Sequence, residues 1–311
     1  MSDLQDLRYI DAAALRAALS PLDAVIALES ALQAGQVDLD GPPKTIVGTQ
    51  YGEILMMPAE LGTMAGVKLV TVAPANAGTD VPRIQGVYLL LDAITLTPIA
   101  LVDGAELTTL RTPAVSALAV RHLATSDLER MVVFGTGPQA WGHVEAVRAV
   151  RAGLRVVDVV ARDPRKAEAL VARCREAGLH SQAAGPEQVE GADLVVCSTT
   201  ARTPLFDSGL LSDRAMVVAI GSHELAAREV DSALVGRATV VVESRGSAAR
   251  EAGDIALAIQ DGVEVRPYDL SELARGEVEL LPGRPRLFKS VGEPWEDLVV
   301  AGEAFRRIAE N

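Results

Sequence analysis

Two residue classes are scarce in this 311-residue chain. It has two cysteines, Cys174 and Cys197, which are too far apart for a CxxC motif and too few for a disulfide scaffold, so we read both as inert thiols. Aromatic residues make up only 3% of the chain while hydrophobic residues make up 49%. The core must therefore consist mainly of Ala, Val, Leu and Ile, as in α/β proteins with parallel sheets.

Basic residues and long apolar runs are scarce as well. Lys and Arg number 29 against 42 Asp and Glu, a net charge of −13 without a strong local basic patch, which argues against a nucleic-acid partner. No apolar run approaches the ~20 residues of a membrane-spanning helix, and the first residues are acidic where a secretory signal needs positive charge. We expect a cytoplasmic protein that neither crosses nor binds a membrane, and we predict no metal site.

The first third of the chain mixes helical and β patterns. Ser20-Pro21 opens an apolar-periodic stretch that runs through Leu32 to Gly35, which predicts a helix with an N-cap, an N1 proline and a glycine after its end. Thr108 to Ala124 is again helical, with Thr112 and Pro113 as N-cap and N1. Between the two helices, short β-rich runs predict a mixed or antiparallel sheet: 45–47, 53–57, 66–72, 87–91 and 99–102.

After Ser126 the pattern changes to buried strands separated by Ala-rich helices such as 164–177. This alternation predicts a doubly wound parallel sheet. Beyond Glu264 the regularity fades, and the chain closes with a helix from Pro294 to about Ala309. The strands are predicted at 131–134, 155–160, 194–197, 216–220 and 238–242.

The clearest local motif follows the first of these strands. Gly135-Thr136-Gly137-Pro138-Gln139-Ala140 is a GxGxxA sequence between a strand and a helix predicted from Gln139 to about Val150. Gly135 allows the tight turn, Gly137 allows backbone to approach a pyrophosphate, and Ala140 allows close packing of helix on strand. Glycine turns also join strands to helices without a ligand, but the flanking elements here favour a dinucleotide cradle.

The end of the next strand bears on which dinucleotide binds. An acid there accepts hydrogen bonds from a ribose 2′-OH, whereas an arginine pairs with a 2′-phosphate. The chain has Ala161-Arg162-Asp163, so the acid is missing at the first position and an arginine follows. We favour NADP over NAD, although Asp163 can still reach a 2′-OH and Arg162 can be a solvated loop charge.

Two basic residues further upstream suggest an anion site. Lys68 lies in the strand 66–70, flanked by Val67 and Leu69, so its side chain points to the opposite face from theirs. Arg111 precedes the predicted start of the helix at Thr112-Pro113, where it and the backbone N–H groups could clamp a carboxylate or phosphate. Taken alone, each residue is a weak signal, because either one could be a surface charge, and for a lone lysine that is the usual case.

Taken in order, the motifs of the chain are identified as those of the ornithine cyclodeaminase/μ-crystallin family. The resemblance runs from about Lys44 to Glu310. It is carried by these segments: Met57-Pro58-Ala59, Gly66 to Val70, Gln85-Gly86, Asp103-Gly104, Leu107 to Thr112, Ser116 to Ala119, Gly135 to Ala140, Gly253-Asp254 and Phe288 to Gly292.

The resemblance implies a Rossmann-type doubly wound sheet with a second α+β domain for substrate and dimerisation. The second domain would comprise residues 1–125 with a returning C-terminal segment 285–311, and the dinucleotide-binding domain residues 126–284. Members bind NAD(P) and form dimers, so we expect a homodimer. Lys68 and Arg111 would hold a substrate carboxylate with help from Lys44, where members have Arg. Cofactor-lining positions are matched by 135–140, Arg162, Thr200, Lys289 and Ser290.

One position departs from the family pattern in a way that bears on the reaction. Ornithine cyclodeaminases resemble Ile220-Gly221-Ser222-His223-Glu224 but carry Asp where His223 stands. His223 could act as a proton donor or base, cap the cofactor, or be structural. We therefore predict an NAD(P)H-dependent oxidoreductase acting at the C–N bond of a small α-amino or α-imino acid, of the ketimine reductase or amino-acid dehydrogenase type. Lys68 and His223 are the predicted catalytic residues. Ornithine cyclodeaminase and a non-catalytic NADP-dependent binding protein are the alternatives.

Overall fold

The computed structural model describes residues 7–76 and 78–310, which form two compact units. The first contains the residues up to Val115 and those from Glu293 onward, and the second runs from Ser116 to Gly292. The boundaries expected from the sequence were after residues 125 and 284. The difference arises because the division falls inside one long helix and because residues 286–289 form a strand of the second sheet.

The first unit is a six-stranded sheet with helices. Strands β2 to β6 are antiparallel neighbours, as predicted, and the unforeseen strand β1 lies parallel to β6 at the edge. The strand order is β1-β6-β5-β4-β3-β2. The elements are β1 (Arg8–Ile10), α1 (Ala12–Ala18), α2 (Pro21–Gln33), β2 (Thr45–Thr49), β3 (Gly52–Leu61), β4 (Met64–Val72), β5 (Ile84–Asp92), β6 (Pro98–Asp103), the start of α3 (Gly104–Leu123), and α10 (Pro294–Glu310).

Helix α2 begins as its sequence predicts. The Ser20 hydroxyl accepts from the backbone N–H of Asp23, and the Asp23 carboxylate accepts in return from the backbone of Ser20. This reciprocal pair satisfies two N–H groups that a helix start otherwise leaves unpaired. Gly35 follows the helix with φ of 66°, the left-handed conformation that glycine adopts most easily.

Helix α3 begins earlier than predicted. Its first turn is capped by Asp103, whose Oδ1 accepts from the backbone N–H of Glu106 at 2.9 Å. The prediction of Thr112 as N-cap and Pro113 as N1 is therefore wrong, because Pro113 lies inside the helix. A proline in the interior removes one hydrogen bond, and weighting it as a start signal hid the Asp103 cap. Arg111 consequently stands in the middle of a helix.

The sheet of the first unit has one covered and one open face. Side chains alternate along each strand, and Met57, Lys68 and Tyr88 are paired across β3, β4 and β5 on the covered face, where all three are buried. Helix α10 packs against these three strands and against α2. Leu69 and Val87, which are also paired, lie on the opposite face and are more than a third exposed.

The second unit is an eight-stranded parallel sheet of Rossmann type. All five predicted strands are present, together with β9, β13 and β14, which the sequence analysis missed. The order is β13-β12-β14-β11-β10-β7-β8-β9. The elements are β7 (Arg130–Phe134), α4 (Pro138–Val150), β8 (Val156–Val160), α5 (Pro164–Glu176), β9 (His180–Ala183), β10 (Leu194–Cys197), β11 (Met216–Ala219), α6 (Ser232–Arg237), β12 (Thr239–Val242), α7 (Arg245–Glu251), α8 (Gly253–Gln260), β13 (Tyr268–Asp269), α9 (Leu270–Ala274) and β14 (Arg286–Lys289).

The central strands of this sheet are fully buried, which explains their continuous runs of Val and Ala. Cys197 ends β10 inside this core, and Cys174 is buried on α5. Burial raises the pKa of both thiols, so neither is a ready nucleophile. Within residues 7–76 and 78–310, no helix has both the length and the apolar character needed to cross a bilayer.

Candidate active site

The turn after β7 has the geometry of a dinucleotide cradle. Gly135 adopts φ of 111°, and a Cβ there would lie 2.6 Å from the Ser198 carbonyl oxygen, so only glycine fits. Gly137 caps α4 without any side-chain hydrogen bond to the helix start, and a Cβ there would meet no atom within 4 Å. The turn therefore presents helix N–H groups to open space, as a pyrophosphate requires.

Helix α4, which follows the turn, is held in place by His143, a residue that was not among those predicted from the sequence. His143 Nδ1 donates to the Gln139 carbonyl at 2.7 Å, and its Nε2 lies 2.9 Å from the Ser116 hydroxyl, which donates to it. Burial lowers the pKa of His143 to about 4, so the imidazole is neutral at physiological pH. Ala140 is buried, which allows the close packing that the motif predicts.

After the end of β8, Arg162 and Asp163, the two residues considered for the choice between NADP and NAD, have different surroundings. Asp163 caps α5, and its Oδ1 accepts from the backbone N–H of Arg165 at 3.0 Å. Arg162 is exposed on the connecting loop. The acid is thus engaged in holding the helix start, while the arginine side chain is directed to solvent.

The remaining predicted cofactor residues follow the carboxyl ends of other strands in the same sheet. Thr200 lies on an exposed loop after β10, and His223 on an exposed loop after β11, so His223 is not a buried structural histidine. Lys289 and Ser290 are buried at the end of β14. Lys289 Nζ lies 2.9 Å from Asp254 Oδ2 and donates to the Ser222 carbonyl, while the Ser290 hydroxyl donates to Glu243 at 2.6 Å.

In the first unit, Lys68 and Arg111 come together around one carboxylate. Lys68 Nζ lies 2.7 Å from Asp297 Oδ2, and Arg111 Nε lies 3.2 Å from Asp297 Oδ1. Arg111 Nη1 also lies 2.7 Å from Glu296 Oε2. All four side chains are buried, so the alternative that Lys68 and Arg111 are surface charges is wrong. We call Lys68, Arg111, Glu296 and Asp297 the charge cluster.

The way Arg111 reaches this cluster differs from the prediction. Because Arg111 is inside α3, no free N–H groups of a helix start lie beside it, and the predicted clamp with backbone donors is wrong. Its side chain instead meets the first turn of α10, where Glu296 and Asp297 are also favoured by the helix dipole.

The electrostatics of the cluster centre on Lys68. Burial, followed by the nearby Arg111 guanidinium, lowers the pKa of Lys68 to about 8, and Asp297 opposes this shift. Lys68 Nζ has three donors, and its partners among the described residues are Asp297 and the Thr108 hydroxyl at 3.3 Å. One N–H therefore remains to donate to a ligand. Lys44, half-buried, lies just before β2.

The buried acidic residues of both units were not predicted from the sequence. Glu296 and Asp297 are fully buried although acids in a first helical turn ordinarily face water. Glu229, Asp254 and Glu243 are likewise buried in the second unit. The available signal for the first pair was their position on the core-facing stripe of α10, flanked by Trp295 and Leu298.

Together these features define a protein with a Rossmann-type dinucleotide-binding unit and a second unit that carries a buried cluster of basic and acidic side chains. The chain belongs to the ornithine cyclodeaminase/mu-crystallin family, whose model matches residues 12–311.

The relatives of this chain include proteins named as reductases. It is 36% identical over 273 residues to Δ1-pyrroline-2-carboxylate reductase of Bacillus thuringiensis subsp. konkukian, covering 83% of this chain and 82% of that protein. The structure of Thermococcus litoralis Δ1-pyrroline-2-carboxylate reductase in complex with NADH and L-proline is 28% identical with a TM-score of 0.91, covering 98% of both chains. A probable ornithine cyclodeaminase from Bordetella pertussis Tohama I is 30% identical with a TM-score of 0.87, covering 98% of this chain and 97% of the other.

Proposed function

We propose that the protein is an NADPH-dependent reductase of a small cyclic α-imino acid, of the Δ1-pyrroline-2-carboxylate type. The observation that carries this proposal is the convergence of Lys68 and Arg111, two buried cations on different elements, on one side of the first unit. Such a pair suits recognition of a desolvated carboxylate. The identity to Δ1-pyrroline-2-carboxylate reductases supports the substrate class.

The chemistry divides between cofactor and protein. Reduced nicotinamide, when bound, supplies a hydride to the carbon of the C=N bond. Lys68 and Arg111 hold the carboxylate attached to that carbon, which fixes the orientation of the imine. The two acids keep the cations in place before substrate arrives. An incoming carboxylate then accepts from the N–H of Lys68 that neither Asp297 nor Thr108 uses, so Lys68 is shared between Asp297 and the substrate.

His223 separates this proposal from ornithine cyclodeamination. A fixed carboxylate at that position would attract an ammonium group and accept its proton, whereas a neutral imidazole gives no charge attraction. The adjacent carboxylate, Glu224, is paired with Arg202 Nη1 at 2.7 Å. We therefore infer that ornithine is a poor substrate and that His223 acts as a proton donor or caps the cofactor.

We infer a preference for NADPH from Arg162. Its exposed guanidinium is able to pair with a 2′-phosphate, while Asp163, the acid that would otherwise contact a 2′-OH, is bonded to the start of α5. The structure of the T. litoralis reductase contains NADH, so titration of this chain with both NADPH and NADH tests the preference.

We further infer a homodimer built on the open sheet face of the first unit. Leu69, Val87, Ile54 and Val47 are exposed there on adjacent strands, and an apolar face of this kind is favoured at an interface between copies. Leu69→Glu should give a monomer by light scattering. Ile94→Glu, on the exposed β5–β6 turn, is the control and should leave a dimer. The cytoplasmic location stays a prediction from the sequence.

A substrate panel tests the proposed reaction. NADPH oxidation is followed with cyclic imino acids and with 2-keto acids plus ammonia, and formation of proline and ammonia is followed with labelled ornithine and NAD. Turnover of cyclic imino acids alone supports the proposal, whereas proline with release of ammonia from ornithine supports cyclodeamination. Tight NADPH binding without turnover in any set would instead identify a non-catalytic binding protein.

A further inference from the structure

A buried glutamate joins two loops at the carboxyl edge of the parallel sheet. Glu229 Oε1 accepts from the backbone N–H of Thr199 at 2.8 Å and from the Thr199 hydroxyl at 2.7 Å. Glu229 Oε2 accepts from the backbone N–H of Gly221 at 2.6 Å. Thr199 follows β10 and Gly221 follows β11, so one carboxylate ties together the loops that leave two neighbouring strands.

Two further charged residues hold this glutamate and its loops. Asp254 Oδ1 accepts from the backbone N–H groups of Glu229 and Val230, at 2.6 and 3.0 Å. Its other oxygen lies 2.9 Å from Lys289 Nζ, which also donates to the carbonyl of Ser222. We call Glu229, Asp254 and Lys289 the loop brace. All three are at most 1% exposed, and Lys289, predicted as a cofactor contact, is held inside it.

The two loops approach so closely that glycine is required at one contact. A Cβ on Gly221 would lie 2.0 Å from the Thr199 carbonyl oxygen and 2.5 Å from Glu229 Oε1. Any side chain at 221 would therefore push apart the two loops that Glu229 joins. The brace and this glycine together fix the course of the backbone immediately before Thr200 and His223.

The three buried charges of the loop brace add little net stability to the core, because removing charged groups from water costs free energy. Burial raises the pKa of the Glu229 carboxyl, and the lowering effects of Lys289 and of the Thr199 and Gly221 hydrogen bonds do not cancel it. Buried ionic groups are often no more stabilising than apolar residues of the same volume. A role in shaping the loops accounts for the charges better than a role in stability.

We propose that Glu229 is a positioning residue that sets the loops against the nicotinamide half of the bound dinucleotide, with Asp254 and Lys289 holding Glu229 in place. In doubly wound sheets the dinucleotide lies across the carboxyl ends of the strands, with its adenosine half beyond the strand that follows the glycine turn and the other half beyond the strands on the other side. In the strand order of this sheet, β8 lies on the side of β7 where the adenosine would bind. Strands β10 and β11 lie on the other side, where the nicotinamide would bind. The inference rests on the proposed function.

Glu229→Gln tests the role, because the amide keeps the size of the side chain but offers one acceptor oxygen instead of two. Three quantities are measured: the Kd of NADPH, the fluorescence of bound NADPH, and the Kd of 2′,5′-ADP, which carries only the adenosine half. We expect NADPH binding to weaken about tenfold, the loss of one charge-assisted hydrogen bond, with altered nicotinamide fluorescence and unchanged 2′,5′-ADP binding.

Two further variants guard against a trivial effect on folding. Asp231→Asn removes a carboxylate that binds the Ser208 loop and caps α6 in the same unit, so it should lower Tm while leaving NADPH binding unchanged. Thr199→Val removes one hydroxyl donor from Glu229 and should weaken NADPH binding in the same direction, though less. This variant keeps the test available if Glu229→Gln does not fold.

The possible results separate this inference from the function on which it rests. If wild type binds NADPH and reduces imines but Glu229→Gln and Thr199→Val bind NADPH as wild type does, the inference is wrong and the function stands. Equal losses of NADPH and 2′,5′-ADP affinity would likewise overturn it, since they indicate general damage to the unit. A wild type that binds neither NADPH nor NADH contradicts the proposed function, and the inference falls with it.

Discussion

The two buried charge groups of this molecule are built in different ways. In the charge cluster of the first unit, side chains pair with side chains, and two cations face two carboxylates. In the loop brace of the second unit, the carboxylates accept mainly from backbone N–H groups. Ion pairs between side chains can exchange for a ligand carboxylate, whereas bonds to backbone fix the path of the chain. The charge cluster is therefore suited to binding a ligand, and the loop brace to holding the two loops in position.

Removal of either cation from the charge cluster should produce the largest effect. Lys68→Met or Arg111→Ala deprives a desolvated carboxylate of a charged partner, which costs about 2–5 kcal/mol of transition-state binding, a loss in kcat/KM of about 30-fold to several thousandfold. Steady-state kinetics with pyrroline-2-carboxylate measure this, and NADPH affinity should hardly change. Lys166→Met, an exposed lysine on α5, is the control. Near-normal turnover in both cluster variants would place substrate binding elsewhere.

The pH dependence of carboxylate binding gives a second test of the charge cluster as a ligand-binding group. Because the pKa of Lys68 is lowered to about 8, its ammonium is present below that pH and lost as the pH rises through it. The affinity for pyrrole-2-carboxylate, whose ring does not titrate in this range, should fall about tenfold per pH unit above pH 8.

Calorimetry in the presence of saturating cofactor measures that decline. Lys68→Arg keeps a permanent positive charge, so the affinity of this variant should not decline as the pH rises. Constant wild-type affinity between about pH 7 and 10 would contradict the assignment of Lys68 as a carboxylate-binding ammonium.

Arg162 should have a moderate and selective effect. Arg162→Ala removes a partner for the 2′-phosphate and should weaken NADPH binding about tenfold without changing NADH binding. Fluorescence titration with both cofactors measures the ratio, and Arg148→Ala, an exposed arginine near the end of α4, serves as the control. Equal wild-type affinities for NADPH and NADH would refute the preference.

The smallest expected effect is that of thiol modification. Cys174 and Cys197 are buried and burial raises the pKa of each, so iodoacetamide at neutral pH should leave activity and mass unchanged until the protein unfolds. Mass spectrometry before and after addition of denaturant checks this. Rapid labelling of Cys197 in the folded protein would show that the core around β10 opens.

The sequence was informative wherever a local pattern had one physical solution. Alternating Val-rich strands and Ala-rich helices predicted the parallel sheet, and the GxGxxA motif predicted a turn in which the structure shows glycine to be required at Gly135. It was less informative for α3, where Pro113 resembled a helix start more strongly than Asp103 did. Strand β14 was missed because only two apolar residues, Leu287 and Phe288, stand between Arg286 and Lys289.

In both charge groups, the pairing of the acidic residues with their partners could not be predicted from the sequence. Asp297 is 229 positions from Lys68, and no spacing rule connects a strand lysine to an acid in a distant helix. Glu229 resembles an ordinary loop acid until the fold places Thr199 and Gly221 on either side of it. Such partners follow from tertiary packing, so the chemistry of the basic residues was predictable and their surroundings were not.

The central claim is that Lys68 and Arg111 bind the carboxylate of an imine that the protein reduces. Its most direct test compares NADPH oxidation with Δ1-pyrroline-2-carboxylate and with 2-methyl-1-pyrroline, which has a methyl group in place of the carboxylate, in wild type, Lys68→Met and Arg111→Ala. The account predicts a strong wild-type preference for the carboxylate that collapses in both variants. A preference that survives both substitutions, or a wild type that reduces the two imines equally, would contradict it.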